Sequence, residues 1–340
     1  MSIKIGLIGC GRILKKHILA INKNSHFLLK AVCDINYSKA KKVSKKLKIN
    51  SYNSINSMIK NEYLDAVSIL TESGNHPKHF KKVSDKVKNI IIEKPISLFE
   101  KDLIEIIKLS KKNRNNIFIV KQNRFNPPVQ LLKNAIKKKY LGKIHSCSSV
   151  VRWSRDQRYY NQAKWRGTNK LDGGVIGNQA SHHIDLLTWL NGPVVSIYAI
   201  GKKSIVKNIQ TKDTVNANLK FKNGSIGYIE ATTATRPNDL EGSITFLGDK
   251  GSVKIGGFAC NKLTTWKFNN KKIEKINKNK YVTNPRDVYG YGHYDFYKKV
   301  SNVILKKERN FINIKQIIST TRVIEGINKS LKLNKIIKLK

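Results

Sequence analysis

Ile3-Lys4-Ile5-Gly6-Leu7-Ile8-Gly9-Cys10-Gly11-Arg12-Ile13-Leu14 is the stretch on which the fold turns: a short apolar run meets Gly-x-Gly and passes directly into a helical pattern. Leu14, His17, Ile18 and Ile21 recur at helical spacing and share one face. A Gly-x-Gly between a strand and a helix makes a tight turn and lets backbone N–H groups at the helix start approach a phosphate. Gly9 and Gly11 therefore predict a dinucleotide pyrophosphate site. Leu14 stands where a third glycine would complete G-x-G-x-x-G; the departure bears on how helix packs on strand, whereas the turn needs only the first two glycines.

Outward from this segment the alternation of apolar runs and helical patterns continues to residue 121, with strands expected at 28–33, 66–70, 90–92 and 117–120. Such alternation marks a doubly wound parallel sheet with helices on both faces. Polar groups at the carboxyl ends of those strands lie where such sheets bind ligands. Asp34 ends the second strand, where a carboxylate accepts hydrogen bonds from an adenosine ribose and repels a 2′-phosphate, which favours NAD over NADP. Thr71-Glu72-Ser73-Gly74-Asn75-His76 follows the next apolar run, and Glu93-Lys94-Pro95 follows Ile90-Ile91-Ile92. Lys94 at that edge is a cation able to polarise a hydroxyl or take its proton.

The grammar changes after Asn126-Pro127-Pro128, because consecutive prolines cannot continue a helix or a central strand. We place a nucleotide-binding domain at 1–122 and an α+β domain at 123–340. The latter is expected to hold helices at 129–140 and 175–190, a large mostly antiparallel sheet built from 143–153 and the β-rich runs of 194–268, and closing helices at 293–305 and 314–333. Turn signals such as Lys222-Asn223-Gly224 separate the runs. On the helix expected at 175–190, Asn178, His182 and Asp185 stand at i, i+4 and i+7 and project from one face. His182 can shuttle a proton near neutral pH, while His183 points about 100° away.

The 340 residues suit two domains, and 40% hydrophobic with 26% charged residues is ordinary globular usage. No run approaches a membrane-spanning length, and the first apolar segment meets glycines rather than a cleavage site, so a cytoplasmic protein without membrane attachment is expected. Cys10, Cys33, Cys147 and Cys260 are too scattered for a disulfide framework or a zinc cluster; no metal is expected. The 66 Lys and Arg against 22 Asp and Glu give a formal charge of +44. Lysines run from Lys15 to Lys340 without a focused patch or an RNA-binding signature, so no specific nucleic-acid partner is expected. A positive field of this kind speeds the arrival of a small anionic substrate without defining it.

Gly9-Cys10-Gly11-Arg12-Ile13, Thr71 to His76, Glu93-Lys94-Pro95 and Asp172 through Asp185 together resemble the Gfo/Idh/MocA family of nicotinamide-dependent sugar and cyclitol oxidoreductases, over nearly the whole chain. The resemblance implies a Rossmann domain followed by the α+β domain. It implies cofactor contacts from Gly9, Gly11, Arg12, Ile13, Asp34, Thr71, Asn75, His76, Glu93 and Lys94, with Lys94 and His182 as the acid–base pair meeting on one alcohol. Many members carry aspartate where Asn178 stands. Asn178-Gln179, Lys121 through Pro128, Tyr159-Tyr160 and Trp165-Arg166-Gly167-Thr168 resemble the branch that oxidises UDP-N-acetylglucosaminuronic acid at C3 for surface polysaccharide. Arg124, Asn126, Tyr160, Trp165, Arg166, Asn178, Gln179, Asp185 and His293 are the substrate candidates: arginines can clamp carboxylate or diphosphate, amides and phenols can bind hydroxyls. The alternatives are the same chemistry on a free sugar, inositol or another polyol, and a cofactor-binding regulator without turnover. By analogy the chain is a homodimer or homotetramer.

Overall fold

A computed structural model describes residues 2–339. The chain divides into two compact units: the stretch up to Val120 joined by His293–Asn313, and Lys121–Gly292 joined by the chain from Ile314 on.

The first unit is built on six parallel strands, β1 (Ile3–Ile8), β2 (Phe27–Cys33), β3 (Asn50–Tyr52), β4 (Ala66–Ile69), β5 (Asn89–Ile92) and β6 (Asn116–Ile119), in the order β3-β2-β1-β4-β5-β6. The order reverses between β1 and β4, and a crevice at such a reversal is where doubly wound sheets take their ligands. β4 and β5 are buried throughout. Their uninterrupted Ala-Val-Ser-Ile and Asn-Ile-Ile-Ile runs suit strands covered on both faces.

The helix expected at 293–305 as a closing element of the second domain belongs instead to this first unit, as His293–Ile304. Its buried face, including Phe296, Tyr297 and Val300, completes the nucleotide-binding core. The Tyr297 hydroxyl lies 2.7 Å from His17 Nδ1 and 3.2 Å from Ser68 Oγ, and its ring meets Phe27 edge-on at 5.5 Å. Helical periodicity announces that a face is buried but not which core receives it.

The second unit carries eight strands: β7 (Ile144–Arg152), β8 (Val194–Lys202), β9 (Thr214–Phe221), β10 (Ile226–Thr232), β11 (Glu241–Gly248), β12 (Gly251–Gly256), β13 (Lys262–Phe268) and β14 (Ile337–Lys338). They order as β13-β12-β11-β7-β10-β9-β8-β14, antiparallel except for the β7–β10 pair. Alternation along β7 turns Cys147, Ser149 and Val151 inward and leaves Ser146, Ser148 and Val150 on the opposite face. The inward face packs on helices Pro127–Lys137, Ser181–Asn191 and Ile314–Leu333 through one apolar core that includes Val151, Ile184, Leu187, Ile244 and Ile324. No helix among the described residues is long and apolar enough to cross a membrane.

Candidate active site

In the first unit, Gly9 leaves β1 at φ 104°, and a side chain there would press on the Leu70 backbone at 3.0 Å, so glycine is required by the packing of β1 against β4. Gly11 is different: a Cβ at Gly11 would meet no protein atom within 4 Å. The space kept open there, just ahead of helix Leu14–Asn22, is what a phosphate approaching backbone N–H groups needs, and the turn fits a dinucleotide. Arg12 and Ile13 lie between that turn and the helix, with Arg12 exposed. Leu14 in the third glycine's place is buried against the sheet.

Asp34 ends β2 half-buried, its carboxylate accepting from Cys10 N–H at 2.7 Å and from Asn36 N–H at 2.8 Å. The two bonds fix the carboxylate at the mouth of the glycine turn, with lone pairs left for ribose hydroxyls. Burial, with Asp34 and Cys33 alongside, pushes the Cys10 thiol up to about 12, and burial does the same for Cys33 and Cys147; these are unreactive thiols.

After β4, Thr71 Oγ1 lies 2.8 Å from His79 Nδ1, and Asn75 Nδ2 donates to Glu72 Oε2 at 3.2 Å. His76 is wholly buried, with Nδ1 2.8 Å from the Pro95 carbonyl and Nε2 3.0 Å from the Thr71 carbonyl. Its side chain ties the ends of two strands together, and burial lowers its pKa.

Glu93 is buried under the end of β5, and it too is turned inward. Its Oε1 lies 2.9 Å from His17 Nε2 and 3.8 Å from His293 Nε2, and its Oε2 accepts from Lys94 N–H at 3.0 Å. Burial pushes the carboxyl upward, but the hydrogen bonds and charges of the two imidazoles outweigh it and hold Glu93 well below the usual carboxylate range. Ligand atoms of His17, Glu93 and His293 lie within 4.8 Å of one another, a donor set that a divalent cation accepts. Here His17 and Glu93 satisfy each other, and the group braces the backbone that presents Lys94. His293, a substrate candidate by sequence, thus sits in the first unit's core.

In the second unit the expected continuous helix is interrupted. Val175–Gln179 forms a π-turn, with Ala180 N–H donating to the Val175 carbonyl at 2.8 Å, and the α-helix proper is Ser181–Asn191. The i, i+4 relation of Asn178 to His182 therefore does not put them on one helical face. Asn178 instead hydrogen-bonds the buried Asp172 carboxylate, whose other oxygen accepts from Gly167 N–H. π-turns cluster at functional sites, because the extra residue re-aims its neighbours.

His182 and Asp185 do share the helix, three residues apart. Asp185 is buried, taking Arg124 in a two-pronged clasp at 2.7 and 2.8 Å, Lys121 at 2.9 Å and the Thr320 hydroxyl at 3.1 Å. Burial raises its pKa, but the two cations together prevail and hold the carboxyl far below its ordinary range; burial lowers the Lys121 ammonium. Arg124 also donates to Gln316 Oε1 and stacks on Trp189 at 4.8 Å. Arg124 and Asp185, expected to hold substrate, hold each other. The clasp fixes the turn Gln122–Phe125 against the helix and sets Gln122 Nε2 2.8 Å from His182 Nε2.

Asn126 is likewise inward, donating to the carbonyls of Ala259 and Cys260. Tyr160 is buried against Val206 and Ile209, its hydroxyl 3.2 Å from Thr233 Oγ1. Arg166 lies over Tyr159 at 4.2 Å and Trp165 at 4.6 Å and donates to the Tyr159 hydroxyl at 2.6 Å. Its Nε is buried without a protein partner, as is Oε1 of Gln179, whose amide nitrogen lies 3.4 Å from the same hydroxyl. The turn of His183 away from His182 puts its ring, fully buried, edge-on to Trp153 at 5.8 Å.

Lys121, Gln122, Tyr159 and Asp172, which sequence reasoning quoted within motifs without assigning them, are the partners of Asp185, His182, Arg166 and Asn178 respectively. Only the flanking of Gln122 by two cations, Lys121 and Arg124, signalled a shared carboxylate.

Residues 3–121 match the oxidoreductase family's NAD-binding Rossmann fold, and 129–254 match the GFO/IDH/MocA C-terminal domain. The chain is similar, at 33% identity and a TM-score of 0.92, to the WlbA dehydrogenase of Bordetella pertussis solved with NADH and UDP-GlcNAcA, covering 100% of this chain and 98% of that one. The Chromobacterium violaceum WlbA dehydrogenase, solved with the same two ligands, matches at 33% identity and TM-score 0.92 over 100% and 96%. Myo-inositol 2-dehydrogenase of Thermotoga maritima is 26% identical over 256 residues, 74% of each chain.

Proposed function

The chain belongs to the Gfo/Idh/MocA oxidoreductase family and is an NAD(H)-binding dehydrogenase, and from that premise we propose that it oxidises C3 of UDP-N-acetylglucosaminuronic acid or a closely similar sugar nucleotide. The observation that carries this is the Arg166, Tyr159 and Gln179 group: a stacked guanidinium with a buried unpaired N–H beside a buried unpaired amide oxygen. Buried polar atoms of that kind are normally partnered, so the set points to a ligand that offers both an anion and hydrogen-bonding hydroxyl or acetamido groups.

Gly9, Gly11 and Asp34 would hold a nicotinamide cofactor, which would supply the hydride acceptor. The chain's own part is proton handling. His182 takes the hydroxyl proton, and Lys94, on a backbone braced by Glu93, steadies the negative charge that develops on that oxygen. Arg166 orients the sugar's anionic group. The match to WlbA dehydrogenases solved with UDP-GlcNAcA supports the sugar-nucleotide substrate, and a role in polysaccharide synthesis and a cytoplasmic homo-oligomer belong to the same proposal; the 26% match to an inositol dehydrogenase favours a free cyclitol as the second reading.

Reduced-nicotinamide absorbance during a screen of UDP-hexoses, UDP-uronic acids, free sugars and inositol decides between them. The uronic acid is expected to turn over with NAD⁺, and His182→Ala or Lys94→Ala to lower turnover by about 100-fold or more with cofactor binding kept. Turnover of inositol alone overturns the substrate, and full activity in His182→Ala overturns the mechanism.

A further inference from the structure

Gln122 is 2% exposed and His182 6% exposed, and their nearest nitrogens lie 2.8 Å apart. An amide nitrogen can only donate, so Nε2 of the ring is the acceptor and the neutral imidazole carries its proton on Nδ1. The other end of the amide, Gln122 Oε1, is buried with no hydrogen-bond partner. Nearly every buried acceptor is satisfied in a native fold, so an orphan at this place marks a partner that arrives during function.

We propose that Gln122 is the positioning residue of His182: its amide donates to the neutral ring, fixing the Nδ1–H tautomer, and turns over to accept from the ring once that has been protonated. This rests on the reading of His182 as the base. The hydroxyl of the substrate replaces the amide on the Nε2 lone pair. The C–H bond breaks with its electron pair going as hydride to an oxidised nicotinamide, which the first unit would hold; the O–H bond breaks, and the proton passes to Nε2 as the C=O bond forms. The new Nε2–H would clash with an amide N–H, and half a turn about the terminal torsion of Gln122 brings Oε1 to it. A neutral amide serves both protonation states; a carboxylate there would favour the imidazolium alone.

The frame keeps this pair together. Lys121 and Arg124 flank Gln122 and both grip Asp185, one turn along from His182. The charged groups on the elements that carry this pair are Lys121 and Arg124 on the turn and Asp185 on the helix; the adjacent His183 turns to Trp153, and Asp172 holds Asn178. The sheet and the closing helix turn uncharged Val151, Ile244 and Thr320 toward the same helix.

The test is ¹⁵N NMR of the imidazoles in the substrate-free full chain, with His182 assigned by loss of its signals in His182→Gln. The wild type is expected to show the Nδ1–H tautomer. Gln122→Met should lose that preference, and Gln122→Glu should raise the His182 titration midpoint by about 1 to 3 pH units. Steady-state profiles follow: the acid limb of kcat moves up with the midpoint in Gln122→Glu, and Gln122→Met lowers kcat roughly 10- to 100-fold with KM little changed. An Nε2–H wild-type tautomer, or one tautomer and one midpoint in all three proteins, overturns the proposal. A chain with the expected tautomers but no turnover of any UDP-sugar, sugar or cyclitol refutes the functional reading and leaves the Gln122–His182 pairing standing.

Discussion

Asp185→Asn is the most informative single change in the second unit. It keeps the shape of the side chain and removes the one negative charge that Lys121 and Arg124 share, and those cations are only 10% and 15% exposed. It also turns an N–H toward a guanidinium that has only N–H groups to offer. Breaking a buried ion pair from one side costs about 3–5 kcal/mol, two to four powers of ten in the folded-to-unfolded ratio. At a urea dependence of roughly 2–3 kcal/mol per molar the midpoint falls by about 1–2 M.

The assay is provided by composition: Trp153, Trp165, Trp189 and Trp266 all lie in the second unit, so tryptophan fluorescence follows that unit's unfolding. The sign with pH follows from the depressed Asp185 pKa. Its stabilisation is complete above the unfolded value, about 3.9, and is lost as pH falls toward the folded value, so the wild type weakens with acid where Asp185→Asn has nothing left to lose. In the variant, Lys121, whose pKa burial already lowers, can relieve the excess charge by releasing a proton, so the penalty should be smaller at pH 9 than at pH 6. Glu230→Gln is the contrast, since its partner Arg152 is 38% exposed; the expected cost is about 0–1 kcal/mol. A loss below about 1 kcal/mol in Asp185→Asn, or one no larger than in Glu230→Gln, would refute the buried-clasp account.

Other consequences are open to measurement. Asp34→Ser removes the charge opposed to a 2′-phosphate, and the ratio of kcat/KM for NAD⁺ over NADP⁺ should fall by about 10-fold or more; an unchanged ratio would mean that Asp34 does not face the ribose. Arg166→Met keeps most of the stacking bulk and loses the donors, so KM for an anionic sugar nucleotide should rise about 10- to 100-fold, whereas a neutral sugar should be unaffected. Gly11→Ala should weaken cofactor binding with little change in stability, because the space is empty of protein, and Gly9→Ala should destabilise the first unit itself. Titration of NADH fluorescence and thermal unfolding separate the two, and equal behaviour of both variants would contradict the assignment.

Much of the first unit was legible because its signals are local. Ile3–Ile8 with Gly9-Cys10-Gly11 fixes strand, turn and helix within a dozen residues, and each later strand end carries its own polar signature. The second unit's site was less legible for a physical reason. Whether Arg124 meets a ligand or Asp185 depends on how a turn docks on a helix many residues away, and the spacing Asn178 to His182 has meaning only if no residue is inserted in the helix between them. The π-turn at Val175–Gln179 breaks that premise without leaving a mark that periodicity detects. His293 and Asn126 meet the same limit: a polar residue beside an apolar pattern can close a core as readily as line a pocket.

The return of His293–Asn313 to the nucleotide-binding unit has a consequence for biogenesis. Phe296 and Tyr297 leave the ribosome only after Lys121–Gly292 has been made, so the N-terminal sheet waits with the surface around Phe27 and His17 uncovered while most of the second unit is synthesised. Domains usually mature in the order of translation. Here neither unit can close before its late segment is made, His293–Asn313 for the first and the chain from Ile314 on for the second, and a chain stopped before His293 should bind chaperones through the bare flank of the first.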